Sequence, residues 1–372
     1  MQFNLNEMQT MIQDGARRLL DETFDSDAKR DAEASEHGFS TAIWSQMSEL
    51  GWAGAALPEA VGGGGLGMLD LCIIAEEFGR AAVCVPLVVS SGFSANMLQN
   101  AEQTDFATGL LGQLATGEAI VTPALIDEGA RDERSTPKAR FESNGAGGVL
   151  SGSKIMVPYA SAAQLLLVSA IDDNAELVIV AIDGDADGVS HERHVTTGAH
   201  PLFNVKLDQV AVSVERILAR GETAQKILDR SLDVASILST AEAVGNCEGM
   251  LLLSAEYATN REQFGTRIGS FQAVSHPLAD MRIQIDAIRL LVYETAWMFD
   301  EGKDVVLEVS ETKALANEAV VKMLHSGHTV HGAIGYTMEY DLQLFTRRAR
   351  AYCLTFGDTQ SQTERAAVAL GL

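Results

Sequence analysis

"KILDRSLDVASILSTAEAVGNCEGMLLLSAEYATN" (residues 226–260) runs without a proline and keeps apolar residues at helical spacing throughout. Two further segments with apolar residues at helical spacing follow it, "SFQAVSHPLADMRIQIDAIRLLVYETAWMFDEG" (270–302), with one proline near its start, and "SETKALANEAVVKMLHSGHTVHG" (310–332). Long helical patterns joined by short connections predict antiparallel neighbours packed as a bundle. That bundle, from about residue 222 to the end, sets the class of the chain.

Working back toward the N-terminus, the period changes. "AIVTPAL", "GGVLSGSKIMVPYA", "AQLLLVSAI", "ELVIVAID" and "VKLDQVAVS" are short, apolar and rich in β-branched residues, with Gly, Asp and Asn between them. They predict a small β-domain, with "SNGAGG" (143–148) as a hairpin turn. Before residue 115 the helical period returns. "NEMQTMIQDGARRLLDETF" puts Met8, Ile12, Ala16, Leu19 and Leu20 on one face, and "STAIWSQMSELGW" opens on Ser40 or Thr41 as an N-cap and stops at Gly51. The chain reads as α+β, mainly α: an N-terminal helical domain (1–115), a middle β-domain (116–221) and a C-terminal four-helix bundle (222–372).

A chain of 372 residues is long enough for two or three domains. Its formal charge of −24 argues against a nucleic-acid partner, which needs a basic face, and against attraction to anionic lipid. The four cysteines, Cys72, Cys84, Cys247 and Cys353, form no CxxC pair and no metal-ligand spacing, so they read as free thiols of a cytoplasmic protein. The first residues lack the basic and apolar regions of a secretory signal, and no apolar run reaches membrane-spanning length.

Three stretches carry a resemblance: "WSQMSELGWAGAALPEAVGGGGLGMLDLCIIAEEFGR" (44–80), "NREQFGTRIGSFQAVSHPLADMRIQIDAIRLLVYETAW" (260–297) and "HTVHGAIGYTMEYDLQLFTRRARA" (328–351). In this order and spacing they resemble the acyl-CoA dehydrogenase family of flavoproteins. The resemblance implies FAD as cofactor, an acyl-CoA thioester as substrate and α,β-desaturation as the reaction. A carboxylate removes the proton beside the carbonyl while the flavin takes a hydride. It also implies an electron-transfer flavoprotein or similar acceptor, and a homo- or hetero-oligomer. Arg261, Phe264 and Gln272 match positions at the nucleotide end of an adjacent subunit's FAD, where a guanidinium fork suits a diphosphate. Thr329, Gly332 and Gly335 match a second cofactor segment; the family usually has glutamine at Thr329 and glycine at Ala333. His328 and His331, beside those glycines, read as packed residues.

The departures lie at the flavin ring and at the base. "VTPALIDEGARDERSTPK" (121–138) replaces the family's flavin loop, keeping Thr122 and Pro123, and Arg131, Asp132, Glu133 and Arg134 within it read as a solvated charged turn. Met156, Val157 and Pro158 stand where the family has a tryptophan, an isoleucine and a hydroxyl residue, and a proline has no N–H to offer the ring. In the ungapped register Phe356 stands on the family's glutamate base. Ala235 stands on the alternative base position of the first bundle helix. The remaining options are Glu242, about two turns beyond Ala235; Asp358, two residues past Phe356; or no working base in this chain. Glu248 reads as a surface residue. Two further readings follow: a degenerate subunit that completes the FAD site of a paired dehydrogenase, of the kind acting on steroid side-chain thioesters, and a non-enzymatic CoA-binding homologue.

Overall fold

The computed structural model describes residues 4–102, 104–145, 147–198 and 200–372. Helices come first: α1 (Glu7–Thr23), α2 (Ser26–Ala34), α3 (Thr41–Glu49), α4 (Met68–Arg80), a π-helical segment (Leu87–Ser94) running into α5 (Ala95–Gln99), and α6 (Thr104–Ala115). Asn6 caps α1 by accepting from the Gln9 N–H, and Ser40 caps α3 by accepting from the Ile43 N–H. The inner stripe of α1 is Ala16 and Leu20, backed by Ile12 and Leu19. Met8, expected on that face, is 58% exposed because it lies in the first turn, beyond the helix's buried contacts.

The strands are β1 (Val121–Ala124), β2 (Arg140–Ser143), β3 (Gly147–Pro158), β4 (Leu165–Asp172), β5 (Leu177–Asp183), β6 (Val189–His194), β7 (Leu202–Ser213) and β8 (Ile217–Arg220). They pair in the order β6-β7-β3-β2-β4-β5-β8, with β1 parallel to β4. β2 and β3 are antiparallel and bracket the expected hairpin turn, of which Ala146 lies outside the described residues. β2 and β6 escape sequence reading for a physical reason. β2 buries one residue, Phe141, and β6 is an edge strand with five of its six residues exposed, so neither has an apolar face to announce it.

The bundle comprises α7 (Gly221–Asn260), α8 (Gln272–Asp300) and α9 (Val306–His331), then α10 (Leu342–Tyr352) and α11 (Thr359–Ala369); a small hairpin of β9 (Glu262–Gln263) and β10 (Thr266–Arg267) joins α7 to α8. α4 crosses α7 with backbones in direct contact. A Cβ on Gly79 would stand 2.0 Å from the Glu242 carbonyl oxygen, and one on Gly245 would stand 1.7 Å from that of Glu76. The last residue of α8, Asp300, accepts from the Met68 and Leu69 N–H groups at 2.6 and 3.1 Å, so α4 is capped by a residue far along the chain. Among the described residues, no helix is long and apolar enough to cross a membrane, and the four cysteines are free thiols.

Candidate active site between the sheet and the helical bundle

A cleft of about 350 Å³ opens where the sheet meets the bundle, within the size range of small-molecule sites. One wall is the end of β3, Met156, Val157 and Pro158; a second is Val85, Val88 and Val89 before and within the π-helical segment. The ladder from β3 to β7 shifts register between Lys154 and Val157, and Met156 takes a φ of 57° there, which turns the strand into the cleft. The third wall is α7 with the residues that end α10, and here the cleft receives Glu242.

Glu242 is 8% exposed, and its carboxylate takes no hydrogen bond and no ion pair from a described residue. Burial pushes its pKa from 4.5 up to about 8, against the pull of Arg348 and Lys313. That move corresponds to roughly 5 kcal/mol against ionisation. Both cations are themselves buried: Lys313 Nζ donates to the Tyr352 carbonyl at 2.7 Å, and Arg348 donates to Glu33 at 3.0 Å. The helix crossing fixes the backbone of Glu242, because only glycine at position 79 admits its carbonyl oxygen.

Phe356 lines the same cleft, and its backbone is held from both sides. Its carbonyl accepts from Ser236 and Gln362, each at 2.9 Å, and its N–H donates to Glu133 Oε1 at 3.1 Å. Asp358 stands elsewhere. It caps α11 by accepting from the Ser361 N–H at 2.7 Å, which holds its pKa below the usual value, and it lines a separate outer cavity with Asn317 and Lys322. The charged turn 131–134 differs from its sequence reading. Arg131 pairs with Glu364, and Arg134 with Asp229 and Asp233, while Glu133 enters the cleft wall. Their ion-pair partners lie near either end of the bundle sequence, which is why a local reading could not show them. Glu248 also differs: it is half-buried and receives Arg282 at 2.6 Å and Arg289 at 3.0 Å.

The residues matched to the nucleotide end gather far from this cleft. Arg261 ends α7, nineteen residues beyond Glu242, or roughly 28 Å along the helix axis. Its side chain is exposed and makes no hydrogen bond or ion pair among the described residues. Phe264 is 94% exposed at a φ of 55°, and Gln272 and Thr329 are exposed. Gly332 has a φ of 63° with open space where a Cβ would be, whereas Gly335 is buried. The two segments share one end of the bundle, since Tyr257 of α7 lies 4.5 Å, ring to ring, from His331 of α9. His331 is also 3.1 Å from Ser254 Oγ and His328 stacks on Tyr336, so both histidines are packed; burial lowers both pKa values. The apolar lining of the cleft suits a ring system and the exposed Arg261 suits a diphosphate, and roughly 28 Å of helix axis separates position 242 from position 261.

Two family models match the chain: the acyl-CoA dehydrogenase N-terminal domain over residues 6–118 and the acyl-CoA dehydrogenase C-terminal domain over residues 225–371. Benzylmalonyl-CoA dehydrogenase of Aromatoleum aromaticum is 28% identical over 94% of both chains. Among solved structures, a variant of the Tcur3481–Tcur3483 steroid acyl-CoA dehydrogenase is 32% identical over 98% of both chains, with a TM-score of 0.89. The ChsE4–ChsE5 complex of Mycobacterium tuberculosis is 25% identical over 100% of this chain and 99% of that one, with a TM-score of 0.91. With both helical regions matched and a relative aligned almost end to end, the chain belongs to the acyl-CoA dehydrogenase family, FAD-dependent oxidoreductases of acyl-CoA thioesters.

Proposed function

We propose that Glu242 is the base of an acyl-CoA dehydrogenase reaction, removing the proton from the carbon beside the thioester carbonyl. The observation that carries this is an unpaired carboxylate on the wall of a largely apolar cleft. Desolvation makes it a stronger base than a free carboxylate, and a base with a pKa near the working pH is the effective kind. FAD, when bound, supplies the hydride acceptor. The apolar walls keep water from the reacting carbons, and the Gly79 crossing holds the base in place. Glu242→Gln should cut turnover by about 10²–10⁴-fold with the flavin content of the purified protein unchanged. Full turnover in that variant would remove Glu242 from the role.

A second reading rests on the distance between the two regions. Arg261, Phe264, Gln272, Thr329, Gly332 and Gly335 serve the FAD of a neighbouring subunit, while the cleft of this chain faces its own substrate. The paired chains of the steroid dehydrogenase and of the ChsE4–ChsE5 complex support a heteromer, and the steroid dehydrogenase supports a bulky acyl group. A chain of the Acidaminococcus fermentans electron transferring flavoprotein structure, 25% identical with a TM-score of 0.93, supports such a flavoprotein as electron acceptor. The division at 115/116 and 221/222, and a cytoplasmic location supported by the free thiols, complete the reading.

A further inference from the structure

A proton taken up by Glu242 lies inside an apolar cleft and must leave before the next turnover. The cleft shares two residues, Glu133 and Phe356, with a second cavity of about 610 Å³. The outer cavity has charged walls, among them Arg131, Asp229, Arg230 and Glu364. Glu133 is therefore part of the wall between a mainly apolar cleft and a cavity with charged walls.

Its surroundings set it apart from the rest of its loop. Arg131 and Arg134 are ion-paired, and Asp132 accepts from the Arg134 N–H and the Ser135 hydroxyl. Glu133 makes no ion pair among the described residues. Its one hydrogen-bonding partner on another element is the Phe356 N–H. Burial raises its pKa, which brings it toward that of Glu242. Lys313 on α9 lies within electrostatic reach of both carboxylates and donates to Ser239, which also lines the cleft. The loop is anchored at its base. Asp127 accepts from the Ala139 N–H at 3.2 Å and is paired with the buried Lys154 at 2.7 Å.

We propose that Glu133 is a second proton-handling carboxylate of this site, passing the proton collected by Glu242 from the cleft to the outer cavity. This rests on Glu242 being the base. The balance is simple: the α C–H bond breaks, an O–H bond forms on Glu242, and the proton moves by way of Glu133 to solvent with no change of oxidation state. The plain alternative is that Glu133 only staples the Phe356 turn.

Glu133→Gln separates the two, because glutamine keeps an oxygen to accept from the Phe356 N–H but cannot carry a proton. The probe is a 3-thia acyl-CoA, which has an acidic α C–H and no β-hydrogen to lose. It is incubated in D₂O with the assembled holoenzyme, and deuterium at the α-carbon is read by mass spectrometry. Flavin reduction by an oxidisable acyl-CoA is followed in a single turnover alongside. The expected result is that Glu133→Gln slows deuterium uptake at least about tenfold more than it slows flavin reduction. Uptake and reduction falling together, or neither falling, would overturn the relay and leave Glu133 a staple. Glu242→Gln run in parallel loses both signals if Glu242 is the base. Should it retain both, the base assignment fails, and the relay with it.

Discussion

At the residue scale, Glu242 turns a cost of burial into a pH profile. The proposed proton removal needs the ionised form, and the pKa of Glu242 is pushed up to about 8. Turnover limited by that step should rise about tenfold per pH unit on the acid side and level off above pH 8. Stability should move the other way. The folded pKa lies above the ordinary 4.5, so the folded state holds a proton that the unfolded chain has lost. The contribution of Glu242 to stability is therefore full below pH 4.5, falls as pH rises through the window, and is lost above about 8. Glu242→Gln lacks this loss, so its melting temperature relative to the parent should climb between pH 5 and pH 9. A constant difference across that range would mean Glu242 is ionised in the fold throughout. Sequence spacing could name Glu242 and Asp358 but not separate them. Burial and capping separate them, and both depend on partners far along the chain. Glu133 was legible only as one charge among four, because what distinguishes it is the N–H of Phe356, 223 residues away.

At the scale of elements, the crossing of α4 and α7 is a contact of backbone on backbone. Gly79→Ala would place a methyl group 2.0 Å from the Glu242 carbonyl, and the carbonyl cannot turn aside without breaking α7. A loss of at least about 1–3 kcal/mol in urea unfolding is expected, with a fall in turnover as Glu242 shifts. Gly109, within α6, has nothing within 4 Å of a new Cβ, and Gly109→Ala should gain about 0.5–1 kcal/mol. In the sheet, Lys154→Met would leave Asp127 charged and buried, an expected loss of about 3–5 kcal/mol. The helices and inner strands announce themselves by period. The crossing does not, since a glycine in a helical pattern shows only that something comes close.

At the scale of the whole molecule, the chain offers two separate candidate half-sites, the cleft at Glu242 and the exposed end of the bundle at Arg261. If the second serves a neighbour's cofactor, Arg261→Ala should weaken FAD retention by the assembly about tenfold or more and leave the cleft's carboxylates untouched. The ratio of flavin to protein absorbance after gel filtration measures this. An unchanged ratio would separate Arg261 from the cofactor. The order of helices, strands and helices could be read from periodicity because each region buries one face of a regular element. The separation of the half-sites could be read only once α7 was known to run unbroken from Gly221 to Asn260.

Asp300 closes the opening turn of α4, and that contact bears on how the polypeptide matures. While a ribosome is still adding the residues before position 300, the N–H groups of Met68 and Leu69 have only water to satisfy them. The first third of the polypeptide then waits on the last for its settled form. A fragment ending near residue 115 should be cut by protease near residues 62–70, and the full-length protein should resist at the same place.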